Sequence, residues 1–200
     1  MESQQSDIMN PWSVISSHTA FDCAYFQIRQ DVVSLAGGAA RSYSSVRMKY
    51  YGVCALPIDE KGRVTLVGQY RYVLDRFTWE VPGGGAAIGT DPLVTARAEL
   101  KEETGCRAEH WLKLMEGMVS PGVSSEIVPA YVAWGLVHAQ PADDPQEPLS
   151  RRWVPFHRAV DMALGGEIAN LAGVAALLAL DVRLRRGNLP QALARLLRKA

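Results

Sequence analysis

Apolar and polar positions fall in short strand-like blocks through the middle of the chain and switch to helical spacing towards its end. Tyr51-Gly52-Val53-Cys54-Ala55-Leu56-Pro57-Ile58 and Val64-Thr65-Leu66-Val67-Gly68-Gln69-Tyr70 predict two strands joined by a turn at Asp59-Glu60-Lys61-Gly62. A third, Phe77-Thr78-Trp79-Glu80-Val81, runs into Pro82-Gly83-Gly84-Gly85, a glycine run of the kind that usually marks a turn. Upstream, Trp12 to about Tyr51 is mixed, with β-rich pieces such as Ala24-Tyr25-Phe26-Gln27-Ile28 and a loop at Gly37-Gly38. The first ten residues are polar and expected to fray. After the glycines comes a helix. Asp91 is its expected N-cap, Pro92 occupies the first helical position, where a missing N–H costs nothing, and Gly105 closes it. Leu93, Ala96 and Leu100 share one face. Strands are expected at 112–118, 127–137 and 152–156, then helical stretches at 157–164, 167–185 and 190–199. Strands enclosing one central helix, followed by late helices, predict an α/β layered domain.

Composition narrows the function classes. The 200 residues are 48% hydrophobic and 21% charged, globular values that exclude a disordered chain. Lys+Arg 21 against Asp+Glu 21 removes any generic electrostatic case for nucleic acid or a membrane surface. The basic tail (Arg183, Arg185, Arg186, Arg195, Arg198, Lys199) lacks interleaved aromatics, and basic residues at helix C-termini are ordinary solvated groups. The longest uncharged apolar run in the tail, Ile168 to Leu180, is too short to span a bilayer, and the N-terminus does not read as a signal peptide. Cys23, Cys54 and Cys106 form no CxxC pair, which fits reduced thiols in a cytoplasm better than disulfides or structural zinc. The four histidines, His18, His110, His138 and His157, share no metal-site spacing.

The chemistry concentrates between Gly83 and Cys106. At about 100° per residue, Glu99, Glu102 and Glu103 fall in one sector of the helix beside Ala96 and Leu100. Carboxylates so close repel unless a cation neutralises them. Hard oxygen donors at that density suit Mg²⁺ or Mn²⁺, ions that commonly accompany phosphate substrates. Preceding glycines allow backbone to approach a ligand without interference from Cβ. Separately, a glutamate triplet is most often a solvated face and a triple glycine a turn.

Together, at this spacing, they carry more. Gly84, fourteen residues, then Glu99-Leu100-Lys101-Glu102-Glu103-Thr104-Gly105-Cys106 closely resembles the Nudix hydrolase signature, G-x5-E-x7-R-E-U-x-E-E-x-G-U with U bulky and apolar. Two positions depart: the family's first Glu falls on Thr90 and its Arg on Ala98, with Arg97 one residue out of register. Cys106 stands in for the final apolar residue. Val67-Gly68-Gln69-Tyr70-Arg71-Tyr72 and Trp79-Glu80-Val81-Pro82-Gly83-Gly84 resemble the approach to the box in ADP-ribose and nucleotide-sugar pyrophosphatases. So does Ser120-Pro121-Gly122-Val123-Ser124-Ser125-Glu126, with Pro121 fifteen residues past Cys106, and so does Gly165-Gly166-Glu167-Ile168 before a late helix.

The resemblance implies the Nudix fold, a mixed β-sheet sandwiched between helices, with an N-terminal β-rich extension over 1–50 that helps form a homodimer. The hydrolase domain would span 51–186 and a C-terminal helix 187–200. It implies Mg²⁺, with Mn²⁺ as a substitute, held by Glu99, Glu103 and the Gly83 carbonyl and assisted by Glu102, with Glu102 and Glu103 the catalytic carboxylates. Arg71 would contact the substrate phosphates, with a surface strand charge as the less favoured alternative. Glu80 would lie near the nucleotide or serve as a cross-strand ion-pair partner, and Pro121 marks ADP-ribose hydrolysis. For the general base, Glu147 in the acidic stretch Ala142-Asp143-Asp144-Pro145-Gln146-Glu147-Pro148 is the first candidate and Glu126 the second; either suits an ordinary loop carboxylate equally well. The expected activity is hydrolysis of ADP-ribose or another nucleoside diphosphate sugar to a nucleoside monophosphate and a sugar phosphate. Its rivals are a related diphosphate such as GDP-mannose or a dinucleotide, and a regulatory domain that only binds a nucleotide.

Overall fold

Strands dominate residues 9–138 and 149–199, the part of the chain that the computed structural model describes. In order they are β1 (Trp12–Asp22), β2 (Phe26–Leu35), β3 (Arg41–Met48), β4 (Tyr50–Ile58), β5 (Arg63–Arg71), β6 (Arg76–Glu80) and β7 (Gly83–Ala87). Helix α1 (Pro92–Thr104) follows, then β8 (Cys106–Met118), β9 (Ile127–His138), β10 (Ser150–Pro155), α2 (Phe156–Leu164), α3 (Leu171–Arg185) and α4 (Gln191–Leu197). A single 3-10 turn, Tyr72–Leu74, joins β5 to β6. The chain separates into two compact units, one reaching to Lys49 and including Ser120–Ser125, the other comprising Tyr50–Val119 and everything from Glu126 onward.

The first unit is an antiparallel meander, β1-β2-β3. Every residue of β1 is exposed, so its sequence carries no alternation of buried and open positions. That absence explains why this stretch reads as mixed text. Segment Ser120–Ser125 returns onto β3: the Val46 amide donates to the Val123 carbonyl at 2.8 Å, and the Tyr43 hydroxyl to the Gly122 carbonyl at 2.7 Å.

The second unit holds a seven-stranded mixed sheet ordered β10-β5-β4-β9-β8, with β6 on β5 and β7 on β4. β4 runs parallel to β9 from Cys54↔Ala130 to Ile58↔Trp134 and antiparallel to β7 from Tyr50↔Ala87 to Cys54↔Gly83. It meets β5 only at Ile58↔Val64; beyond that rung β5 continues with β6, and β4 with β7. On one side, Leu56, Ile58, Leu66 and Val132 pack with Met162 of α2, Leu177 and Leu180 of α3 and Leu193 of α4. On the other, α1 buries Ala96 against Val53 and Tyr131, and Leu100 against Cys106 and Ala133. The result is a mixed sheet between helical layers. Leu100 is fully buried, so Leu100→Ala is expected to cost about 2–5 kcal/mol.

Helix α1 begins and ends on its own signals. The Asp91 carboxylate accepts the Leu93 amide at 2.9 Å, and Gly105, left-handed at φ 67°, donates to the Lys101 carbonyl. Three expectations need correction. The glycine run is strand β7 rather than a turn, laddered to β4 throughout. Strand β8 starts at Cys106, well before residue 112. Helix α3 starts at Leu171 rather than 167, because Ile168 is fully buried in a bridge with Trp79 and keeps that segment extended until Asn170 caps the helix. Among the described residues, no helix is long and apolar enough to cross a membrane.

Candidate active site

The site is built where α1 lies against β7. A Cβ on Gly83 would run into the Val53 carbonyl, and one on Gly84 into the Glu99 carboxylate. Gly83 is therefore required by close approach of backbone, which lets β7 close on β4, while Gly84 leaves the space in which the Glu99 carboxylate rests on the strand. One turn further along α1, Glu103 accepts the Gly83 amide at 2.8 Å. Helix and strand thereby bring two carboxylates to one short stretch of backbone.

The electrostatics of that arrangement are unfavourable as it stands. Burial pushes the Glu103 carboxyl up to about 7; the Gly83 hydrogen bond opposes the shift, and the neighbouring charge of Glu99 adds to it. Glu99, Glu102 and Glu103 also sit in the last turns of α1, at the negative end of the helix dipole, where a carboxylate is disfavoured by about 0.3–1 kcal/mol. Only Lys101 is basic in the last turn. A hard divalent cation fits this charge pattern. Among the described residues no three His, Cys, Asp or Glu side chains converge as a ready-made metal cage.

Beside this cradle stands a second, charge-satisfied element. Arg71 at the end of β5 grips Glu80 of β6 with two hydrogen bonds, Nε to Oε1 at 2.8 Å and Nη2 to Oε2 at 2.7 Å. Thr78 donates to Glu80 Oε1 at 2.6 Å, and Asn170 Nδ2 to Oε2 at 3.4 Å. Burial alone would push the Glu80 carboxyl up, but bonds from Arg71 and Thr78 and the Arg71 charge hold it below the usual carboxylate range. Two cavities meet here. One, of about 270 Å³, is walled by Gly52, Gly83, Gly84 and Glu126. The other, of about 800 Å³, lies along the β5–β6 hairpin, with Tyr70, Tyr72 and Phe77 in its wall. Arg71, Glu80 and Asn170 line both.

The structure thus brings together Glu99, Glu103, Gly83, Arg71 and Glu80, and sets Glu126 on the same cavity wall. Glu102 is exposed. Pro121 belongs to the segment tied to β3 in the first unit. Glu147 lies outside the described residues. Thr90 and Ala98 are both exposed; the Thr90 hydroxyl closes its turn on the Ala87 carbonyl at 2.6 Å, and Arg97 stacks over Trp111. Cys54 lines the smaller cavity, but burial pushes its thiol up to about 12, which leaves it inert as a nucleophile. Sequence reasoning missed Thr78 and Asn170. Asn170 carried a signal, since an Asn three residues before Gly173 at the start of an apolar helical run is an N-cap pattern.

A family model described as the NUDIX domain matches residues 48–172, more than half of the 200-residue chain. The chain belongs to the NUDIX family. This Nudix protein is 34% identical to an ADP-ribose pyrophosphatase of Mycobacterium tuberculosis over 172 residues, 84% of this chain and 82% of that one. It is also 34% identical to a methanol dehydrogenase activator of Bacillus methanolicus over 122 residues, 61% of this chain and 65% of that one. A solved structure of an ADP compounds hydrolase superposes with a TM-score of 0.80 at 20% identity, over 92% of this chain and 100% of that one, a likeness of fold. The Nudix chain described here is a hydrolase of the pyrophosphatase type, in the branch that holds the ADP-ribose pyrophosphatases.

Proposed function

We propose that this Nudix enzyme hydrolyses the pyrophosphate bond of ADP-ribose or a closely related nucleoside diphosphate sugar, with Mg²⁺, to a nucleoside monophosphate and a sugar phosphate. The observation that carries the reading is the Glu99–Glu103 pair set on Gly83–Gly84 beside Arg71, two repelling carboxylates and a guanidinium around a glycine-lined opening. The ADP-ribose pyrophosphatase of M. tuberculosis, alike over most of both chains, supports the choice of substrate.

Glu99, Glu103 and the Gly83 carbonyl would hold the divalent ion, Mg²⁺ or in its place Mn²⁺, with Glu102 assisting at the rim. Bound there, such an ion would supply charge neutralisation of the diphosphate and polarisation of the attacking water. Arg71, oriented by Glu80, presents a planar guanidinium to the phosphates. Water adds to one phosphorus, the bond to the bridging oxygen breaks, and that oxygen leaves on the other phosphate. Glu147, the first candidate from the sequence, lies outside the described residues; Glu126, the second, lines the cavity and would take the proton of the water. The N-terminal extension over 1–50 would pair two chains as a homodimer, and the enzyme would work in the cytoplasm.

The test is a panel of nucleoside diphosphate sugars, dinucleotides and nucleoside triphosphates with Mg²⁺, read by phosphate-coupled product release. The reading expects the highest kcat/KM for a diphosphate joined to ribose or hexose. A triphosphate turned over faster than every diphosphate sugar would overturn the substrate class. Tight nucleotide binding with no hydrolysis under either Mg²⁺ or Mn²⁺ would replace the enzyme with a binding domain.

A further inference from the structure

We propose that Asn170 is a positioning residue for the substrate diphosphate, holding Glu80 and through it the Arg71 guanidinium on the wall that the two cavities share. The inference rests on the reading of Arg71 as the phosphate contact. It begins with a softness in Glu80. The terminal torsion of a glutamate is broad and roughly two-fold, so the side chain does not itself set the plane of its carboxylate. That plane decides where a bidentate guanidinium lies, because the two groups are coplanar when paired fork to fork. Something else must fix it.

The donors around Glu80 do so in pairs. Arg71 Nε and Thr78 Oγ1 reach Oε1; Arg71 Nη2 and Asn170 Nδ2 reach Oε2. Thr78 comes from the same strand two residues away, and Asn170 comes from the start of α3. One anchor on each oxygen, from two different elements, stops the carboxylate from turning. The Arg71 side chain is 44% exposed at the cavity mouth, and its fork-to-fork pairing with Glu80 sets the plane of its guanidinium.

Asn170 is suited to this by chemistry that capping alone does not require. Its Oδ1 accepts the Gly173 amide at 3.0 Å, which forces Nδ2 towards Glu80. Asp and Ser cap helices as well as Asn does, yet Asp has no donor for a carboxylate, and a Ser hydroxyl is too short to serve both partners. The backbone on either side of Asn170 is seated against β6 and the residue that follows. A Cβ on Gly173 would stand only 3.2 Å from Val81, so the first turn of α3 is seated against the residue that follows Glu80. Ile168 is bridged to Trp79 on the other side.

Asn170→Ser and Asn170→Asp keep the cap and remove the donor, and Asn170→Ala removes both. The Ser and Asp variants are expected to melt within about 2 °C of the parent. Their KM for the diphosphate sugar should rise at least about fivefold with kcat within about threefold, the shift being larger for Asp, whose charge opposes Glu80. Titration calorimetry with ADP should show the same loss of affinity without any turnover. In a Glu80→Gln background, Asn170→Ser should add nothing further, since both act through one group. KM and ADP affinity within twofold of the parent in both capped variants, or effects that multiply in the double variant, would overturn the role of Asn170. A parent that binds ADP but hydrolyses nothing defeats the proposed activity while the ADP titration still decides on Asn170; a parent that binds no ADP overturns both.

Discussion

The Gly83 amide and the Glu103 carboxylate meet at 2.8 Å, so a backbone group of strand β7 neutralises part of a side chain that α1 has carried out of water. One hydrogen bond does not offset the burial, since the carboxyl still rises to about 7. The relationship makes Glu103 the residue whose charge the site can least afford to leave unmatched.

Catalysis should therefore depend on Glu103 more than on any other side chain. Glu103→Gln preserves shape and removes the charge; turnover is expected to fall at least about 10²-fold. Steady-state kinetics on the best diphosphate sugar would check this, and turnover within about threefold of the parent would remove Glu103 from the mechanism.

The same residue sets a pH dependence of stability in chelator-treated protein. Its folded-state carboxyl, at about 7, lies above the ordinary 4.5. Between those values the native state holds a proton that the unfolded chain has released, so this contribution is full below about pH 4.5 and is lost as pH rises through about 7. Urea unfolding at pH 5 and pH 7.5 should show a larger loss in the parent than in Glu103→Gln. Equal losses would mean that Glu103 is not desolvated.

In the first unit, β1 exposes Val14, Ile15 and Phe21 by 62%, 60% and 51% and leaves one edge without a strand partner among the described residues. An apolar edge of that kind invites a second strand. Light scattering at micromolar concentration is expected to give twice the 21.9 kDa of one chain. A mass near that of a single chain would count against the homodimer.

Thr90 and Ala98 offer a fourth check. From the family pattern alone, restoring only one of the missing Glu–Arg pair would strand a partly buried charge at about 3–5 kcal/mol. Both positions are exposed, so that penalty does not apply. Ala98→Arg should leave stability within about 0.5 kcal/mol of the parent. Thr90→Glu should cost about 0.5–1.5 kcal/mol by deleting the bond to Ala87, and the double change should recover part of it. Thermal melts of the three variants decide; a single-site loss above about 3 kcal/mol would mean the sites are buried in solution.

How far the sequence carried the structure depended on whether a residue declares itself locally. Helix α1 was legible to the residue, because Asp91, Pro92 and Gly105 act within one turn of themselves. The acidic face was legible for the same reason. Strand β7 was not: three of its five residues are glycine, so it has no side-chain alternation to read, and only its pairing with β4 makes it a strand. Nor was the join of Arg71, Glu80 and Asn170, since Asn170 lies ninety residues from Glu80 and its amide reads as nothing more than a cap. Close approach is a tertiary fact. Gly84 looked like freedom of the backbone, whereas it is the space that Glu99 occupies.

The ladder between β7 and β4 has a consequence for timing. Glycine-rich stretches beside phosphate sites are usually pictured as folding around an arriving ligand. Here Gly83–Ala87 is paired along its whole length with Tyr50–Cys54, and α1 rests on it, so the pairing that shapes the floor of the site is supplied by the protein itself. Encounter should then proceed without an ordering step in that strand. Mixing the protein with a fluorescent ADP analogue in a stopped-flow instrument should give a single phase whose observed rate climbs linearly with nucleotide concentration. A plateau at high concentration would reveal that something other than the glycine strand has to move first.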